Sequence, residues 1–170
     1  MKTYVRFLLL TTTIFLVIGA MSLSANAQLG TTAKRGDVRV QRVLDTLKLR
    51  YEVQTSGNFK LVPIDVGNKR TQLAYIDSAT DVYENLDIRE VWAPAAAFRG
   101  QLSAATANKL LQQKPKFGGW RVYYDGTNSL IYFAVHISAD SDAETVKTAL
   151  QIVTRAADTM ELELTSKDDF

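Results

Sequence analysis

The chain has 170 residues, 46% hydrophobic and 22% charged, with 20 lysines and arginines against 18 acidic residues; this is the range of a globular protein able to bury one core. Two of the cations, Lys2 and Arg6, lie in an N-terminal segment that reads as removable, which leaves 18 against 18, and a neutral domain lacks the cationic excess that drives general nucleic-acid binding. Cysteine is absent, which excludes disulfides, thiolate metal sites, a lipobox and a cysteine nucleophile.

Residues 1–27 have the three parts of a secretory signal peptide: Lys2 and Arg6, an apolar run from Phe7 to Ala20 interrupted at Thr11–Thr13, and Ala25-Asn26-Ala27 as an A-x-A site. Cleavage is expected between Ala27 and Gln28. The apolar run is shorter than the roughly 20 residues of a spanning helix, so no stable membrane insertion is expected after cleavage. The mature chain is therefore expected in the periplasm or secreted. Residues 28–36 are small and polar, a flexible lead-in to a single domain over residues 37–160.

From Asp37, the residues Val40, Val43, Leu44, Leu47 and Tyr51 fall on one helical stripe. Arg35, Arg39 and Arg42 line the other side, where a solvated helix face is the plainer reading and an anionic partner or membrane surface the sharper one. Tyr51–Gln54, Phe59–Val66 and Thr71–Asp77 then read as strands around turns at Gly57-Asn58 and Gly67-Asn68. Pro63 cannot donate to a ladder and places its strand at an edge or a bulge. Residues 77–85 read as a polar loop. Leu86, Ile88 and Trp92 read as a strand ending near Pro94, while Ala95-Ala96-Ala97-Phe98 is ambiguous, since alanine favours helix but Pro94 and Gly100 leave barely one turn.

Leu102–Gln113 reads as a second helix with Ser103 as N-cap, Ala107, Leu110 and Leu111 facing inward, and Pro115 beyond its end. Gly118-Gly119 leads into a hairpin, Trp120–Tyr124 and Leu130–Ile137 around the turn at Asp125–Asn128, with Ile131, Phe133, Val135 and Ile137 on the core face. Ser141-Asp142-Ala143-Glu144 has the form of a capping box. It opens a helix whose Val146, Ala149, Leu150, Val153, Ala157 and Met160 recur at helical spacing, and residues 161–170 read as a mobile C-terminal tail. The fold class is α+β, an antiparallel sheet packed by about three helices in the order α-β-β-β(-β)-α-β-β-α.

That order, with Leu110-Leu111-Gln112-Gln113, with Phe117-Gly118-Gly119-Trp120 entering the hairpin, with the strand Leu130–Ile137 and the capped helix at Ser141, resembles the YbjN-like family, the bacterial sensory transduction regulators, over residues 37–160. The resemblance implies an α+β domain similar to type III secretion chaperones, with helices on an antiparallel sheet. It implies no activity and carries over no catalytic residue.

Chemistry-bearing patterns are sparse. His136 is the only histidine, with no nucleophile elbow and no metal-spaced ligand beside it, and reads as a half-exposed strand residue sharing a face with Tyr132 and Ala134. The acid pairs Asp81 with Glu84 and Asp87 with Glu90 fall in a loop and at a strand edge, and Asp140, Asp142 and Glu144 suit a helix N-terminus. Gly118-Gly119 lacks the spacing of a phosphate loop. These patterns point to no catalytic residue, no metal and no cofactor.

Trp120, Tyr124 and Tyr132 read as an aromatic patch on the hairpin face away from Phe133, with Arg121 beside them, a composition typical of partner-binding hot spots. The competing reading has a helix covering them. The leading function is an exported, non-catalytic module that binds a protein or peptide partner, with a homodimer open. A structural cell-envelope component is the alternative, and a hydrolase of unrecognised type the further one.

Overall fold

The computed structural model describes residues 35–170; the expected signal peptide, its expected cleavage site at Ala27–Gln28 and residues 28–34 of the expected lead-in lie outside them. Asp37 caps helix α1 (Val38–Thr46) by accepting the Arg39 amide on its carboxylate, and Val40 and Leu44 point into the core. The helix ends sooner than its apolar spacing suggests. Lys48 adopts a left-handed φ of 55°, and Tyr51 opens a strand instead of extending the stripe.

β1 (Tyr51–Val53) and β2 (Phe59–Leu61) form a hairpin. The expected strand Phe59–Val66 divides at Val62-Pro63, where the chain leaves the main sheet. It makes a separate ribbon of β3 (Ile64–Gly67) and β4 (Arg70–Gln72), then β5 (Tyr75–Ile76) returns to pair with β2, so that Thr71–Asp77 is split as well. The stretch read as a polar loop holds a further strand, β6 (Asp81–Tyr83), folded through Glu84 at φ 52° onto β7 (Leu86–Arg99).

β7 does not stop at Pro94; it runs for 14 residues through the alanines to Arg99. Two features make this allowable. Its pairing with β5 ends at Trp92, so beyond that point only β9 (Asn128–Ser138) bonds to it, and the β7–β9 ladder shifts register between Pro94 and Ala96. Ala93, Ala95 and Ala96 are completely buried under helix α3 (Ala143–Thr165), which packs chiefly on this strand. Small side chains let the helix approach closely, and that burial outweighs alanine's helical preference.

Helix α2 (Ala104–Gln112) starts at Ser103, whose hydroxyl accepts the Thr106 amide at 3.1 Å. Leu110 is buried, whereas Leu111, expected inward, is 81% exposed. β8 (Gly119–Tyr124) pairs with β9, and Ile131, Phe133 and Val135 are buried as the alternation predicts. The N-cap of α3 is Asp142 rather than Ser141: its carboxylate accepts the Thr145 amide at 2.8 Å. All six residues of the predicted stripe, Val146 to Met160, are buried.

The last residues are not a free tail. α3 continues to Thr165, and the completely buried Glu161 accepts the amides of Asp169 (2.7 Å) and Phe170 (3.2 Å) on Oε1. Its Oε2 accepts from Arg70 at 3.3 Å and Gln72 at 3.4 Å, and the Phe170 carbonyl accepts the Leu73 amide at 3.1 Å. A buried carboxylate must find donors, and the tail supplies two of them.

The main sheet runs β1-β2-β5-β7-β9-β8, with β6 also on β7, and every pairing is antiparallel. The cross-strand row Phe59, Ile76, Val91 and Val135 is buried together with Val40 and Leu44 of α1 and Val153 of α3, so both helices share one face. This is the expected α+β class, with three helices among the described residues.

Candidate partner-binding site

The hairpin that drew attention in the sequence lies at one side of the sheet, with β8 outermost. Gly118 admits it at φ +77°, where an added Cβ would collide with the Ala134 carbonyl oxygen. Register then decides which residues share a face. Trp120, Val122 and Tyr124 stand opposite Phe133, Ile131 and Ser129, all on the helix side; Arg121 and Tyr123 stand opposite Tyr132 and Leu130, on the other side. The expected patch of Trp120, Tyr124 and Tyr132 is therefore split. Trp120 meets Phe133 edge to face at 5.0 Å and packs against the core, and Tyr124 donates its hydroxyl to the Gly126 carbonyl at 2.7 Å. Tyr132 and Arg121 belong to the opposite surface.

That opposite surface carries a row of rings. Tyr75 stacks on Trp92 with centroids 4.1 Å apart, and Tyr132 leans on Trp92 at 5.2 Å. The indole donates to Asp77 Oδ1 at 3.1 Å, which Asn58 also reaches at 2.8 Å. Beside the rings, Glu90 Oε2 forms an ion pair with Arg121 at 2.8 Å, and His136 Nε2 lies 3.3 Å from the same oxygen and 3.1 Å from the guanidinium. Burial pushes the Glu90 carboxyl up, with Arg121 and His136 pulling it partly back, and burial likewise raises Asp77 and Tyr132. The paired carboxylate and guanidinium, with the imidazole beside them, make a polar surface. Among the described residues, His136 has no hydroxyl partner to activate.

Two other charged groups are paired within the fold. Of the three arginines on the polar side of α1, Arg39 is bound by Asp37, Asp87 and Asp140, all within 3.0 Å, while Arg35 and Arg42 are exposed. Asp158, Glu161 and Asp168 bring carboxylate oxygens within 4.8 Å of one another, but Arg70 sits among them, at 2.5 Å from Asp158 and 3.3 Å from Glu161. A guanidinium already occupies the place a cation would take.

Open apolar surface occurs at the β6–β7 turn, where Val82, Tyr83 and Leu86 are exposed, and in depressions on the helix side of the hairpin. A depression of about 410 Å³ lies between α2 and β8, floored by Trp120 and Val122 and walled by Leu110 and Leu111. Across Gln113, Pro115 and Trp120 it adjoins a second of about 300 Å³ against Ile152 and Met160. Past Phe117 comes a third of about 560 Å³ beside Val135 and Ala149. Phe117 is 65% exposed at the junction of the last two. The three form one trough bent around residues 113–119, bordered by Lys116 and by Glu144 and Glu163.

No family model and no curated protein matches this chain. The trough, rather than a likeness to a characterised protein, is therefore the functional lead. Sequence reasoning identified Trp120 but missed Leu111 and Phe117. A helical stripe cannot tell Leu110 from its neighbour when the helix touches the core along one line only, and a lone aromatic between a proline and two glycines carries no periodic signal.

Proposed function

We propose that the protein is a non-catalytic binding module that takes an apolar segment of a protein or peptide partner into the trough between α2, β8 and α3. The observation that carries this reading is the exposure of Leu111 and Phe117 beside adjoining apolar depressions that share Gln113, Pro115 and Trp120. Trp120, half-buried with its ring on Phe133, forms a rigid floor suited to an anchor side chain. The lysine and glutamates at the border give the polar rim of such interfaces.

Leu111→Ser combined with Phe117→Ser is expected to abolish retention of the partner from a periplasmic fraction on the immobilised protein, with the thermal midpoint unchanged, because both side chains stand in solvent. Retention of the same protein by the double variant would overturn the assignment.

The YbjN-like reading is part of this proposal and rests on the motifs Leu110–Gln113 and Phe117–Trp120. Export is proposed on the A-x-A site and the short apolar run. No helix among the described residues is long and apolar enough to cross a membrane. Mass measurement of the protein recovered from its native compartment is expected to give Gln28 as the first residue, and an intact Met1 or Lys2 there would refute cleavage.

A further inference from the structure

The outer edge of β8 is the unguarded edge of the sheet. Exposed strand edges are usually protected by shortness, by outward charges or by proline, because their free N–H and C=O groups template pairing with another chain. The opposite edge follows that rule: β1 has three residues and carries Glu52. β6 is equally short and opens on Asp81. β8 does not follow it. It has six residues, Gly-Trp-Arg-Val-Tyr-Tyr, no proline and no acidic group, and Val122, Tyr123 and Tyr124 are each more than 40% exposed. Its one charge, Arg121, is drawn over the sheet by Glu90 at 2.8 Å instead of standing guard at the rim.

We propose that this edge pairs with β8 of a second copy of the chain, antiparallel about a two-fold axis at Val122, joining the two sheets into one. Its side chains are complementary to themselves in that register. Antiparallel partners must lie on the same face, so the pairs are Val122 with Val122, Trp120 with Tyr124 on the helix side, and Arg121 with Tyr123 on the other. An apolar pair sits on the axis, an aromatic pair follows on one face, and on the other a guanidinium meets a phenol ring, each repeated by symmetry. The alternatives are worse. Centring on Arg121 sets two guanidinium groups against each other, and centring on Tyr123 runs the ladder into the Asp125 turn, whose carboxylate is already held by the amides of Thr127 and Asn128. A seam of five paired residues, Trp120 to Tyr124, is at the small end of specific interfaces, so the dimer dissociates on dilution.

The seam shares Trp120 and Val122 with the floor of the trough, whereas Leu111 and Phe117 lie outside the seam, so variants at those two positions separate the two surfaces. Sedimentation of the purified protein is expected to shift from monomer to dimer with rising concentration. Val122→Lys, which places two ammonium groups on the axis, is expected to remain monomeric with its thermal midpoint kept, whereas the Leu111→Ser, Phe117→Ser variant dimerises like the parent. The chain has no cysteine, so a single one reports position. Residues opposed across the axis have Cα atoms about 4.5 to 5.5 Å apart, within disulfide reach. Mild oxidation is expected to link Val122→Cys into covalent dimers and leave Thr127→Cys, in the hairpin turn, unlinked. A monomer at every concentration, or equal linking at both positions, would overturn the proposal.

Discussion

Phe133→Ala is expected to lower the free energy of unfolding by about 3 to 5 kcal/mol, the range for removing a large aromatic side chain from a core. Phe133 is 2% exposed, meets Trp120 edge to face at 5.0 Å and lies beneath α3 near Ile152 and Met160. Its loss removes the contact that ties the hairpin to the helix and leaves Trp120 without its support, so the floor of the trough loosens as well. For a domain whose whole stability is of the order of 5 to 15 kcal/mol, such a loss is severe. Urea denaturation followed by tryptophan fluorescence measures it. A loss below about 1 kcal/mol, the scale of surface substitutions, would place the ring outside the core.

The second large effect is expected at Asp37. This one carboxylate caps α1 and binds both Arg39, at 2.8 Å, and Arg89, at 2.7 Å. Arg89 has a side chain only 2% exposed, and its other partners are the carbonyls of Asp77 and Ala139. Asp37→Ala therefore leaves a buried guanidinium without its counter-charge, and the expected loss is about 3 to 5 kcal/mol, the range for breaking a buried pair from one side. The cap alone would account for about 1 kcal/mol of it.

The same carboxylate sets a dependence on pH. Burial pushes it up, but hydrogen bonds from Arg39 and Arg89 outweigh burial and hold it well below its ordinary value of 3.8. A group depressed in the folded state stabilises the fold above its unfolded pKa and loses that contribution as pH falls toward the folded value. The stability difference between the parent and Asp37→Ala is thus expected to be constant near neutrality and to shrink on acidification below pH 3.8. Taking the difference removes the opposite contributions of Glu90 and Glu161, which burial raises. A difference that stays constant down to pH 2 would show that the charge on Asp37 is not what stabilises this corner.

Much of the fold follows from local rules that the sequence states directly. The period of α3 from Val146 to Met160, the alternation of β9, the cap at Ser103 and the glycine before the hairpin each depend on residues within a turn or two of one another, and the structure has them all. Apart from the early end of α1 and the cap of α3, what failed was non-local. Alternation tells which residues of one strand share a face, but the register between β8 and β9 decides which face of the neighbour they join, and this separated Tyr132 from Trp120 and Tyr124. Alanine's helical preference yielded in β7 to the tight seat beneath α3, an environment no window of sequence contains. The tail was held because Glu161 is buried among Arg70, Gln72 and the last amides, groups brought together from distant parts of the chain. Strand order belongs to the same class. Only tertiary structure left β8 at the edge of the sheet and placed Leu111 and Phe117 in solvent around Trp120, because the free energy of a surface depends on what fails to cover it.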